Sequence, residues 1–192
     1  ALLEHDPTLS YSISVTTRPP RKDEEDGREY FFKSKEEFED LIQEGAFLEH
    51  AIVHGNYYGT LNAEIDNRLE QAEDVILDVD VKGSMAIKEN RPEAVTVFVL
   101  PPSIATLEKR LRNRGTDNED VLTVRLNNAR EEVRFASLYD YVIVNENLDR
   151  TITGIQEIIK AERRRASRMV VTDALGEIDF ISREKALQKI DS

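Results

Sequence analysis

Two arginines on a proline-stiffened turn are the first residues of this chain suited to chemistry. Arg18 and Arg21 flank Pro19 and Pro20, and proline fixes φ, so the guanidinium groups leave a pre-shaped backbone. Each offers a planar fork of donors that fits phosphate or carboxylate oxygens. Taken alone, the four residues could equally be a solvated surface turn. Asp78 and Asp80 come next. They share one face of a strand predicted over Val75–Val81, because strand side chains repeat every two residues. Asp80 falls at the carboxyl end, where open α/β sheets bind ligands. A buried carboxylate needs a partner, and Mg2+, directly or through water, would be suitable; a nearby arginine is the plainer alternative. Further on, Arg110 and Arg114 sit at i, i+4 on one helix face, Gly115 and Thr116 break that helix, and Arg125 lies on the next. Such a set could place positive charge on a moving phosphoryl group, although a basic helix face is usually just solvated. The histidines (His5, His50, His54) have no metal-ligand spacing.

The elements that must position these residues follow from periodicity. Tyr11, Ile13 and Val15 alternate with Ser12, Ser14 and Thr16, which predicts a strand leading into the arginine turn. A short strand is expected over Glu29–Lys33. Ser34 and Glu37 then form a capping box ahead of a helix whose stripe is Phe38, Leu41 and Ile42 and whose stop is Gly45. Strands over Phe47–Val53 and Asn56–Thr60, joined by His54-Gly55, lead into a helix over Leu61–Ala72. Val75–Val81 is mostly apolar on both faces, as parallel strands covered by helices require. Ala94–Leu100 and Tyr141–Val144 read as further buried strands. Helices are expected over Gly83–Asn90, Ser103–Asn113, Asn118–Phe135 and Leu148–Arg165. Strands alternating with helices predict an α/β fold, a doubly wound parallel sheet with helices on both faces.

A length of 192 residues suits one domain with small inserts, and 40% hydrophobic with 33% charged residues reads as globular. The net charge of −12 argues against nonspecific nucleic-acid or anionic-membrane partners, while leaving room for a basic cleft. The chain has no cysteine, which fits a reducing cytoplasmic setting, and no apolar run approaches a membrane span. Ala1–Asp6 reads as the end of a helix stopped by Pro7, an opening that leads one to expect further sequence upstream.

Ser-x-x-x-Arg-x-x-Arg-x-x-Glu-x-x-Gly-x-x-Tyr (Ser14 to Tyr30), then Phe47-Leu48-Glu49 and His54-Gly55-Asn56-Tyr57-Tyr58-Gly59-Thr60, resembles the guanylate kinase family. The resemblance runs from residue 1 to about Arg165. It implies a kinase transferring the γ-phosphate of ATP to GMP with Mg2+, and a GMP-binding subdomain over 28–60 with a helical lid over 111–125. Glu49 falls at the family's guanine-reading glutamate, with Ser14 and Thr60 as supporting hydroxyls. Arg18, Arg21, Tyr30 and Tyr58 match its phosphate-binding set. Asp78-Val79-Asp80-Val81-Lys82-Gly83 stands where the family has Asp-x-Asp-x-Gln-Gly, which implies GMP binding for Asp78 and a metal or catalytic role for Asp80. Arg110, Arg114 and Arg125 would serve the ATP phosphates and the transfer, and Asn145 the adenine. A carboxylate at Glu49 can accept from both guanine N1–H and N2–H₂; adenine lacks that donor pair, and sites built on such bonds discriminate by roughly 10⁴-fold.

Several positions depart from the family pattern. Lys82 replaces a usual glutamine, His50 a common tryptophan, and Lys22-Asp23 a glycine-containing turn. The family's phosphate loop, G-x-x-x-x-G-K-[ST], does not occur in the sequence. That keeps open a catalytically silent, guanylate-kinase-like interaction module, and a kinase for another nucleoside monophosphate if Glu49 points away from the base. Residues 166–192 lie beyond the resemblance, with a strand expected around Glu177–Ile181 and a helix over Arg183–Ile190. Packing or a homo-oligomer contact is the plainest role for them.

Overall fold

The computed structural model describes residues 2–53, 55–114, 119–165, 168, 172–173 and 176–177. It divides into two compact units, residues 1–152 and 153–192, and every candidate site residue named above belongs to the first.

A short helix, α1 (Leu2–His5), precedes β1 (Leu9–Tyr11) and β2 (Val15–Thr16). The single strand expected through Tyr11, Ile13 and Val15 is thus two. β1 pairs in parallel with β6 (Asp74–Ile76), whereas β2 pairs antiparallel with β5 (Asn56–Leu61). A chain that changes partner cannot keep one alternation, so Tyr11 is 47% exposed while Ser12 is buried.

β2 belongs to a four-stranded mixed sheet of order β3-β2-β5-β4, with β3 over Phe31–Phe32 and β4 over Phe47–Val53. Between β3 and β4 runs α2 (Lys35–Gln43). Both arms of its capping box form: Ser34 Oγ accepts the Glu37 N–H, and the Glu37 carboxylate accepts the Ser34 N–H at 2.7 Å. Gly45 stops the helix at φ 66°, a left-handed value that costs a side chain-free residue little. Phe38 of α2 is fully buried, stacked on Phe47 at 4.4 Å and close to Tyr57 at 5.1 Å. Gly59 is required beneath that cluster, because a Cβ there would lie 2.8 Å from the Phe47 ring. The sheet therefore has one face, Phe47, Tyr57 and Gly59, committed to packing.

α3 (Asn62–Glu70) returns the chain to β6, and α4 (Val81–Asn90) follows. The central strand expected over Val75–Val81 is only Asp74–Ile76. Asp80 Oδ1 accepts the Gly83 N–H at 2.8 Å and caps α4, which starts the helix two residues before the expected Gly83. Leu77 and Val79 still reach the core of Leu48, Ile65 and Ile87, but as packing residues outside the ladder.

β7 (Val97–Leu100) and β8 (Tyr141–Val144) form a second parallel pair. Neither is buried on both faces as expected: Val99 is 45% exposed, and Val142 and Val144 47% each. The pair is fastened at one end by Asp140, which accepts the Thr96 N–H and hydroxyl and the Lys88 ammonium. Burial raises the Asp140 carboxyl, but those three donors outweigh it and hold it low. Among the described residues no ladder joins β6 to β7. The α/β class holds, while the continuous doubly wound sheet is present as two parallel pairs.

α5 (Ile104–Arg114), α6 (Glu119–Glu132), a 3₁₀ helix (Val133–Leu138) and α7 (Leu148–Arg163) complete the main elements. Two dipeptide strands, β9 (Thr172–Asp173) and β10 (Gly176–Glu177), pair antiparallel. His54, the Gly115-Thr116 helix break, and the tail elements expected beyond Glu177 lie outside the described residues. Among the described residues no helix is long and apolar enough to cross a membrane.

Candidate nucleotide site

The face of β5 opposite the Phe38 cluster carries Tyr58 and Thr60, two residues apart and so on one side. Glu49 joins them because of an irregularity in β4. Phe47 pairs with Leu61, but Glu49 pairs with Thr60, so the register slips by one between them. In a regular strand Phe47 and Glu49 would share a face. The bulge at Leu48 instead sends Phe47 to the packing face and Glu49 to the face of Tyr58 and Thr60, a re-aiming for which bulges are suited. Asn90 Nδ2 donates to the Leu48 carbonyl at 3.2 Å and braces the bulge.

Glu49 Oε1 accepts the Thr60 hydroxyl at 2.8 Å. Its other oxygen lies against the first turn of α4, where a Cβ on Gly83 would come within 3.2 Å of it. Burial pushes the Glu49 carboxyl above the usual carboxylate range; the Thr60 hydrogen bond opposes this, and the charge of Asp80 adds to it. Burial and Asp80 raise Glu132 in the same sense. Glu49, Asp80 and Glu132 therefore form a negative region at the α4 N-terminus. In Gly83→Ala the added Cβ would meet Val79 Cβ and Glu49 Oε2, each at 3.2 Å. The better helix propensity of alanine offsets part of the crowding against Val79, so folding stability should fall by no more than about 2 kcal/mol while the Glu49 carboxylate is displaced. The expected result is roughly a fivefold or greater loss of affinity for the site's ligand, read by calorimetry at a temperature where the variant is fully folded.

A second grouping adjoins the first along β5. The Arg18 guanidinium is held above its ordinary range by Glu24 and, in the same sense, by the Tyr58 hydroxyl, and its Cζ lies 5.5 Å from the Tyr30 ring centroid. The Tyr30 and Tyr58 rings meet edge-on at 5.9 Å. Arg18, Tyr30 and Tyr58 are thus assembled into a cationic, phenol-lined corner. Arg21 is exposed, at the far end of the same turn. Ser14 is half-buried at the entry to β2, where its carbonyl accepts the Phe31 N–H. Asp78 is exposed between β6 and α4, and its charge is felt by Tyr11, whose hydroxyl is raised by burial first and by Asp78 second.

The remaining candidates lie on α5, α6 and the segment after β8. Arg110 Nη2 donates to the Asn145 carbonyl at 2.9 Å, and Asn145 Oδ1 accepts the Thr151 hydroxyl at 3.3 Å. Arg110 and Asn145 are therefore adjacent. Arg114 ends α5, with its side chain outside the described residues. Arg125 is half-buried on α6, lining an open groove of about 320 Å³ with Val121, Val124 and Asn128. Arg112, midway between Arg110 and Arg114 along α5, is occupied by Glu108 and Glu119 and held above its ordinary range by both.

A half-buried carboxylate, a cationic, phenol-lined corner and a separate arginine-bearing helix pair are parts that a nucleotide phosphotransferase could use, and comparison with known proteins bears on which one. The Guanylate kinase family profile matches residues 1–162. The chain belongs to the guanylate kinase family. It is 48% identical to the guanylate kinase of Rickettsia felis over 166 residues, covering 86% of this chain and 86% of that protein. It is 45% identical to the enzyme of Caldanaerobacter subterraneus subsp. tengcongensis over 168 residues, 88% of this chain and 82% of the relative. The crystal structure of guanylate kinase from Anaplasma phagocytophilum superposes with a TM-score of 0.73 at 35% identity, covering 88% of this chain and 82% of that one.

Within this family member, sequence reasoning missed one residue of the Arg18 corner. Glu24 closes the Arg-x-x-Arg-x-x-Glu run with no role assigned to it by sequence, yet its carboxylate holds Arg18. The signal was present in the Arg-x-x-Arg-x-x-Glu spacing: a carboxylate three residues past the second arginine can fold back onto the first. Among the described residues no three His, Asp or Glu side chains converge as a metal cage. A magnesium site of the nucleotide-bridging kind does not need one, because that ion is commonly held by one or two carboxylates, substrate phosphates and water. Asp80 fits such a role: it is exposed, and only Oδ1 is committed to the α4 cap.

Proposed function

We infer that this chain is an ATP:GMP phosphotransferase, a guanylate kinase that converts ATP and GMP to ADP and GDP. The observation that carries the reading is the bulge-directed placement of Glu49 on the same sheet face as Thr60 and Tyr58, beside the Arg18–Tyr30 corner. That arrangement offers one purine nucleotide an acceptor for its base and donors for its phosphate. The relatives named above all bear the name guanylate kinase.

In this reading Glu49 accepts from N1–H and N2–H₂ of guanine, with Thr60 orienting the carboxylate and Ser14 and Asp78 completing the GMP site. Arg18, Arg21, Tyr30 and Tyr58 hold the GMP phosphate so that one of its oxygens faces the incoming phosphoryl group. Arg110, Arg114 and Arg125 carry positive charge to the transferring group, and Asn145 meets the adenine. Asp80 would hold Mg2+, which when bound neutralises phosphate charge. Residues 28–60 act as the GMP-binding subdomain and 111–125 as a lid, within a domain of residues 1–165, and closure of both excludes water and limits ATP hydrolysis. The two parallel pairs belong, on this view, to one doubly wound sheet. A coupled assay on the full-length protein tests the reading: ADP must form from ATP in the presence of GMP, and its absence would refute the assignment.

A further inference from the structure

Glu24 has no part in the reaction just described, yet it is bound closely to a residue that does. Both its carboxylate oxygens lie 2.9 Å from Arg18 Nη2, and Oε2 also accepts the Arg21 backbone N–H at 2.8 Å. The pair is largely withdrawn from water, with 15% and 14% of the two side chains exposed. The opposite constraints on the guanidinium come from the Pro19 carbonyl, which accepts from Nη1 at 2.7 Å, and from the Tyr30 and Phe32 rings, 5.5 and 5.8 Å from Cζ. We propose that Glu24 is a positioning residue for phosphate recognition, fixing Arg18 against Tyr30 and closing the Arg18–Arg21 turn so that a phosphate monoester meets a guanidinium already in place. This rests on the phosphotransferase reading.

Two effects of Glu24 oppose each other. A free arginine must give up the freedom of a long side chain when it binds, and an arginine already held does not. Against that, a carboxylate near the phosphate repels it and occupies donors. The guanidinium carries more N–H donors than Glu24 and Pro19 take up, so occupation is not decisive. Geometry and charge can be separated, because glutamine keeps an accepting oxygen and drops the charge.

Calorimetric titration of the chain with GMP and with guanosine separates the possibilities, since guanosine has the same base and no phosphate. Glu24→Ala should weaken GMP about tenfold and leave guanosine unchanged, while Glu24→Gln should stay within about threefold of wild type for both. Equal loss for GMP and guanosine would mean that Glu24 merely supports the fold, and would overturn the proposal. Tighter GMP binding in both variants would overturn it in the other direction, by showing that Glu24 competes with the phosphate. Unchanged GMP affinity in Glu24→Ala, with wild type binding normally, would remove the positioning role alone. Wild-type protein that binds neither GMP nor guanosine would remove the phosphotransferase reading, and this inference with it.

Discussion

Glu49→Gln is expected to lower kcat/KM for GMP by roughly 100-fold or more and to abolish the preference for guanine. The amide keeps one acceptor but turns an N–H₂ toward the donor edge of the base, so one guanine hydrogen bond is lost and a donor–donor contact replaces it. The hydroxyl of Thr60, 2.8 Å from Oε1, remains to orient the substituted side chain, so the change should report on recognition rather than folding. Steady-state kinetics with GMP and AMP as alternative acceptors would measure it, and unchanged selectivity would show that another group reads the base.

The same residue gives a pH signature with two opposite signs. Burial raises the folded-state pKa of Glu49, Asp80 on α4 adds to the rise, and Thr60 on β5 and His50 on β4 oppose it. A group raised on folding contributes stability that is fully present below its unfolded pKa and is lost as pH rises through the folded one. Acidification should therefore favour the fold at this site. Binding runs the other way: a protonated carboxyl cannot accept from both guanine donors, so GMP affinity should fall as pH drops through the raised value. Glu49→Gln should remove both dependences, which titrations of GMP and thermal unfolding across the acid range would detect.

Phe38→Ala should cost about 3–5 kcal/mol of folding stability, the usual toll for emptying a buried phenylalanine site. Against a typical total of about 5–15 kcal/mol that is a large share. The ring is fully buried and is stacked on Phe47 at 4.4 Å, and Gly59 leaves no side chain that could collapse into the void. Since Phe38 backs the β4–β5 sheet whose other face presents Glu49, Tyr58 and Thr60, its loss should also loosen the proposed GMP site. Denaturant unfolding gives the first quantity and GMP titration the second. A loss below about 1 kcal/mol would mean that the packing face is not what holds the hairpin.

Features that depend on near neighbours were legible in the sequence. The Ser34–Glu37 capping box, the Gly45 stop and the β4–β5 hairpin all form where their residues predict, because each is decided within a few positions along the chain. The Arg18-Pro-Pro-Arg21 turn and the family motifs pointed to the same nucleotide chemistry that the comparisons support. Alternation was less reliable where the chain changes partners. It read Tyr11–Thr16 as one strand and extended β6 to Val81, since a period of two cannot say where a ladder ends or where Asp80 begins a helix instead.

What the sequence by itself determined about this protein is its α/β class, its family and the residue types a guanine nucleotide would require. Tertiary structure alone decided how those residues meet. The one-residue slip at Leu48 turns Glu49 toward Thr60, and a carboxylate six positions away pairs with Arg18. The physical reason is common to both: strand register and ion-pair choice are settled by competition among partners brought together by the fold, and local propensity carries no record of which partner wins.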